Sequence, residues 1–180
     1  MSITLTADVS AAIKAITTVR GALKILRLPF GEIGENFITT TYERFNKEID
    51  PQGVRWTPNA DSTLLRYMQK KAGGKALSKK LTATGGRTVT SKGMRALAIK
   101  KILRDSGTLQ DLMGYQASDN VLAFGPSIAT KDYAATMQYG NPSKRIPARP
   151  YLGITPNDVT FIQDTFSKYF IDTWIANANV

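Results

Sequence analysis

Apolar residues recur at helical spacing in two stretches near the start of the chain. Val9, Ile13, Ile16 and Leu23 define the first, with Asp8 placed to cap it and Pro29 to end it. The second runs from Glu32 to Ile49 through Ile33, Phe37, Ile38, Tyr42 and Phe45. Asp50-Pro51-Gln52-Gly53 is a turn by composition, because proline presets the first central φ and glycine accepts a positive one. Leu64, Leu65 and Met68 predict a short helix over Ser62 to Lys71. Leu97, Ile99, Ile102 and Leu103 predict another over Met94 to Arg104, closed by Gly107.

After Leu109 the period changes. Leu112 to Gln116 and Val121 to Gly125 are short apolar runs around the polar Ala117-Ser118-Asp119-Asn120, the pattern of a β-hairpin. A brief helix over Lys131 to Tyr139 is stopped by Gly140, and a Pro/Arg-rich connection leads to Tyr151-Leu152-Gly153-Ile154, which has the makings of another strand. The last helix has the strongest start signal. Thr155 caps, Pro156 suits the first helical position, and Asp158 complements the helix dipole. Val159, Ile162, Phe166, Phe170 and Trp174 then run down the helix. The expected fold class is α+β: helices packed on a small, mainly antiparallel sheet, with a long basic loop and a long C-terminal helix. The expected organisation is a single domain over 1–180, with 1–30 a separable N-terminal helix and 72–93 a flexible basic loop.

Charge singles out the middle of the chain. The net charge is +10, and residues 62–104 carry twelve Lys/Arg and no acid. Much of this stretch is rich in glycine, serine, threonine and lysine, too poor in large apolar side chains to order itself. Structureless loops of more than about 12–15 residues are usually functional or disordered. Three readings stay open: a solvated insertion, a face toward DNA, or a face toward an acidic neighbouring subunit. The residues concerned are Lys70, Lys71, Lys75, Lys79, Lys80, Arg87, Lys92 and Arg95. No aromatic residue falls between Gln69 and Gly114, which argues against base stacking on a single strand.

The chain has neither cysteine nor histidine. Disulfides, thiolate or imidazole metal ligands, and Cys or Ser-His nucleophile systems are thereby excluded. The carboxylates form no cluster spaced to hold a hard cation or to pair as acid and base. The expectation is a non-enzymatic protein without cofactor. The N-terminus lacks a signal-peptide pattern, and no run approaches the ~20 apolar residues that span a bilayer, so the protein is expected to be made and kept in the cytoplasm.

Several segments follow one another in a recognisable order: Phe45, Pro51-Gln52-Gly53 and Trp56; Ile102-Leu103 and Ser106-Gly107-Thr108-Leu109; Val121 and Phe124-Gly125. Tyr133-Ala134, Gln138-Tyr139-Gly140 and, most specifically, Ile146-Pro147-Ala148-Arg149-Pro150-Tyr151-Leu152-Gly153-Ile154 complete the series. Over about residues 40–160 the chain resembles the Mu-like virion morphogenesis and tail completion family of tailed phages. Met137 stands where that family commonly has a histidine, so no imidazole role carries over, and the basic loop is longer than in a minimal member.

The resemblance implies a structural part of the tail or neck that completes the head-proximal tail end and supports head-tail joining. It also suggests a cyclic oligomer, with six copies the natural number. The implied partners are the chain itself and the tail terminator, tail tube or neck and connector proteins, with packaged DNA nearby. Arg149, on a stiff segment, either locks the connection internally through its hydrogen-bond fork or reaches across a subunit boundary. Trp56 is either core or an interface anchor, and Tyr133, Tyr139 and Tyr151 share that ambiguity. The alternative from another class is a small basic nucleic-acid-binding module, supported by a pI of about 9.9.

Overall fold

The computed structural model describes residues 10–22, 24–73 and 75–178, so the expected cap at Asp8 and the apolar positions Val9 and Leu23 lie outside the described residues. Its helices are α1 (Ser10–Ala22), α2 (Arg27–Lys47), α3 (Asp61–Ala72), α4 (Ser91–Ala98), α5 (Thr108–Asp111), α6 (Lys131–Tyr139) and α7 (Pro156–Ala178). The strands β1 (Leu77–Leu81) and β2 (Arg87–Val89) form one two-stranded sheet, and β3 (Met113–Ala117) and β4 (Leu122–Pro126) another. The α+β class holds, as small antiparallel ribbons among helices.

The chain divides into two compact units. The first comprises residues up to Thr40, Gly114–Gly125 and the chain from Ile154 onward. Here α1 packs on α7. Pro29 does not end the first element; it sits buried in the opening turn of α2, where a helix has no use for its missing N–H. Phe30 meets Phe166 edge to face at 5.9 Å, and Phe37 meets Phe124 at 5.5 Å. Gly34 is needed because the Tyr115 ring lies so close that an added Cβ would stand 2.4 Å from it.

The N-terminus of α7 is built as its sequence prescribes. Thr155 Oγ1 accepts the Asp158 N–H at 3.1 Å, while Asp158 Oδ2 accepts the Thr155 N–H at 2.8 Å, a reciprocal cap with aspartate in the usual glutamate position. The buried side of α7 is rotated from the expected stripe. Asp158 and Thr165 are buried with Phe161, Ile162, Phe166, Tyr169 and Phe170 partly so, whereas Val159 and Trp174 are largely exposed.

The second unit holds Thr41–Met113 and Pro126–Gly153. Its aromatic centre is Phe45, edge to face with Trp56 at 5.4 Å and tilted against Tyr151 at 5.4 Å. Helices α3 and α4 pack together, with β2 beside α4 and β1 beside β2. Two helical expectations are corrected. The helix expected over Met94 to Arg104 begins at Ser91, because the Thr90 side chain caps it by accepting the Gly93 N–H, and it ends at Ala98. Beyond it Leu103 turns back with φ +58° and the Ile102 N–H is taken by Glu48 Oε1 at 2.6 Å. Gly107 therefore does not close that helix; with φ +92° it opens α5.

The stretch 72–93, expected as a structureless loop, contains the β1–β2 hairpin and the start of α4. Leu77 pairs with Val89 and Leu81 with Arg87, five residues opposing three, so β1 bulges. The hairpin is anchored at its base rather than by its own side chains: Thr90 N donates to Ala76 O at 2.9 Å, and Ala76 is buried. Gly93 packs so closely there that a Cβ would lie 2.5 Å from the Ala76 carbonyl oxygen.

Candidate interaction site

After an isolated bridge between Asn141 and Ile146, the segment through Ile154 forms no strand, which corrects the expectation of one over Tyr151–Ile154. Side chains from other elements satisfy its backbone in place of a neighbouring strand. Gln138, near the end of α6, accepts the Tyr151 and Leu152 N–H groups with Oε1, each at 3.0 Å, and donates Nε2 to Leu152 O at 2.9 Å. From α2, Arg44 Nη1 donates to Tyr151 O at 3.2 Å and to Gly153 O at 2.9 Å. Trp56 Nε1 donates to Pro150 O at 2.7 Å. A buried polypeptide must have its N–H and C=O groups paired, and three side chains do here what a β-ladder does elsewhere.

Arg149 works in the opposite direction. Its own N–H donates to Met137 O at 2.8 Å, while Nε reaches Thr57 O at 2.8 Å and Nη2 reaches Pro58 O at 2.9 Å. The fork thus clamps the Trp56–Pro58 segment to the clasp, the internal one of its two expected courses. Burial lowers the Arg149 pKa, and the carbonyl oxygens around it supply part of the solvation it loses. Tyr151 is fully buried with its hydroxyl donating to Ala134 O at 3.2 Å; burial first, then Tyr139 and Tyr133, pushes its pKa up to about 12. Gly140, with φ +76°, lets α6 end against the clasp, since a Cβ there would meet Ala148 N at 2.7 Å.

The five aromatic and arginine positions singled out from sequence therefore separate. Trp56, Arg149 and Tyr151 are buried, while Tyr133 is 38 % and Tyr139 79 % exposed. Arg44, Gln138 and Glu48 were not singled out as site residues. The available signal for Arg44 was a charge on the buried stripe of α2, three residues after Thr41 and next to Phe45. The basic residues behave differently: Lys70, Lys71, Lys75, Lys79, Lys80, Arg87, Lys92 and Arg95 are all exposed. Of these, Lys70 contacts Asp105 at 3.2 Å, and that hydrogen bond lowers the Asp105 pKa. Lys71 lies 5.9 Å from the Tyr67 ring.

Among the described residues no group of three or more acidic side chains is gathered as metal ligands would be, and no helix is long and apolar enough to cross a membrane. The arrangement combines an internally bonded frame with exposed positive charge.

Comparison with known proteins gives one assignment. Residues 86–170 match the model of the phage virion morphogenesis family, a span that runs from the hairpin turn through the clasp and into α7. Searches of the curated proteins and of the solved structures found no match. Residues 86–170, just under half of the chain, are thus similar to the phage virion morphogenesis family, which supports the resemblance carried by the sequence motifs.

Proposed function

We propose that this protein completes the head-proximal end of the phage tail and supports head-tail joining, acting by binding and not by turnover. The observation that carries the reading is the clasp: the most specific sequence block of the resemblance is the one that Gln138, Arg44 and Trp56 hold by its backbone. Such construction fixes the shape of a surface, which is what a component fitted between other subunits needs. The absence of cysteine and histidine from the sequence agrees with a role that requires no nucleophile or proton shuttle.

In this reading the chain assembles as a ring of identical copies, six being the expected number, with head-to-tail contacts between copies. Its neighbours are the tail terminator, the tail tube or the neck and connector proteins. The exposed lysines and arginines of α3, the hairpin and α4 face either an acidic ring or DNA in the channel. The test is immunogold location of a tagged chain on purified particles. Label at the head-proximal tail end supports the proposal, and label distributed along the tail or absent from the particle refutes it.

The second reading, a basic nucleic-acid-binding module, draws on the same exposed charge. A salt titration of duplex binding separates the two. Affinity that falls steeply with salt and vanishes when Lys79, Lys80 and Arg87 are replaced by glutamine favours the module. Weak binding together with rings in light scattering favours the assembly part.

A further inference from the structure

A cleft of about 590 Å³ opens in the second unit beside the clasp. Its walls come from the segment after Trp56, from α3, from the turn after α4, and from α6 with the connection that follows it. Four cations line it: Arg66, Lys100, Arg145 and Arg149, against the single carboxylate of Asp105. Asp105 is already engaged by Lys70. Among the described residues, Arg145 and Arg149 make no ion pair with a carboxylate, and Arg66 acts on Asp105 through its charge without a close ion pair; Arg149 spends its donors on carbonyls. Lys100 is half-buried, and its pKa is lowered by burial first and also by the positive charges of Lys70, Arg149 and Arg66, although Asp105 opposes them.

Like charges lining one cleft repel one another, and an anion set among them relieves that repulsion. Two of the lining residues also carry backbone strain. Leu103 and Arg145 have φ of +58° and +52°, a region that non-glycine residues seldom occupy and that concentrates at functional positions. The remaining wall is apolar, with Pro58, Leu109, Met137, Ile146 and Pro147.

We propose that this cleft receives an extended acidic segment of a partner protein, one that sets carboxylates against Arg66, Lys100 and Arg145 and lays an apolar side chain between them on the Leu109–Ile146 wall. Charge complementarity selects the acid and the apolar wall selects a polypeptide over a nucleic acid. A duplex presents phosphates on a convex surface that has no apolar counterpart for this wall. The cleft is large enough for a few residues, within the roughly 300–1,000 Å³ of ordinary ligand pockets. The proposal rests on the assembly reading only for the partner's being a virion protein.

The test uses the full chain and a fluorescein-labelled hexapeptide alternating glutamate with leucine, read by fluorescence polarisation. Comparison probes are the same peptide with glutamine for glutamate, and a short DNA duplex as competitor. The acidic peptide is expected to bind and the glutamine peptide to bind at least about tenfold more weakly. Arg66→Glu with Arg145→Glu is expected to weaken the acidic peptide by about tenfold or more, while Lys79→Glu with Lys80→Glu on the hairpin leaves it unchanged. Should the charge reversal disturb folding, as judged by thermal melting, Arg66→Gln alone replaces it, with a smaller loss in the same direction.

No binding of the acidic peptide, equal binding of the glutamine peptide, indifference to the cleft variants, or displacement of the peptide by duplex at lower concentration than by unlabelled peptide each overturns the proposal. Failure here with immunogold label still at the head-proximal tail end removes the cleft and leaves the assembly reading standing. The reverse outcome does the opposite.

Discussion

The clasp and the basic hairpin belong to the same unit, and both are rich in groups that water solvates well, yet they use those groups in opposite ways. In the clasp, Arg149 is buried and its guanidinium is bonded to Thr57 O and Pro58 O. On the hairpin, Lys79, Lys80 and Arg87 stand in solvent. A buried guanidinium is tolerated only with partners for its donors, so its energy is tied to the fold. An exposed lysine contributes little to the fold and is left available to another molecule. The clasp should thus govern whether the protein holds its shape, while the hairpin lysines, in the proposed assembly role, are free for a contact that the fold does not need.

That contrast is sharpest at Trp56. Trp56→Ala removes a side chain packed on Phe45 and the hydrogen bond to Pro150 O, and is expected to cost about 3–5 kcal/mol in chemical denaturation. Arg149→Met keeps much of the volume but strands two carbonyls, and is expected to cost about 2–3 kcal/mol in the same assay. A loss under about 0.5 kcal/mol in either variant would place it with ordinary surface substitutions and erase the distinction.

Tyr151→Phe tests the clasp through pH. The folded phenol has its pKa raised from 10.0 to about 12, so the folded state holds its proton more tightly than the unfolded chain. The stability this provides is complete below about pH 10 and is lost as pH rises toward about 12. The variant is expected to lose about 1 kcal/mol at neutral pH, from the missing bond to Ala134 O, and to show a shallower alkaline decline in melting temperature than the parent. Parallel declines would show that Tyr151 does not carry the effect. At the small end, Lys79→Glu with Lys80→Glu is expected to change stability by less than about 0.5 kcal/mol while abolishing hairpin-dependent association measured by pull-down on assembled tails.

What could be read in the sequence tracks how local each determinant is. Helix α7 announces itself because Thr155, Pro156 and Asp158 make its start within four residues. The bounds of α6 and the position of the β3–β4 hairpin were equally legible, since glycine and polar turn residues mark them. The β1–β2 hairpin was not, for its composition is that of a loop and its anchoring comes from Ala76 meeting Thr90 and Gly93. The Thr82–Gly86 turn, where Thr82 N bonds to Gly86 O, was its one local signal.

The clasp was half legible. Its residues stood out, but as a strand, because a sequence shows extended backbone without showing that Gln138 and Arg44 supply the hydrogen bonds. The cleft was not legible at all: Arg66, Lys100 and Arg145 lie far apart in the chain, and only the fold brings them to one wall.

The most direct measurement is electron microscopy of lysates from phage lacking this protein, complemented or not by the intact chain. The account predicts filled heads lying beside unattached tails without the protein, and joined particles when it is restored. Heads and tails joined in normal number without it would contradict the account.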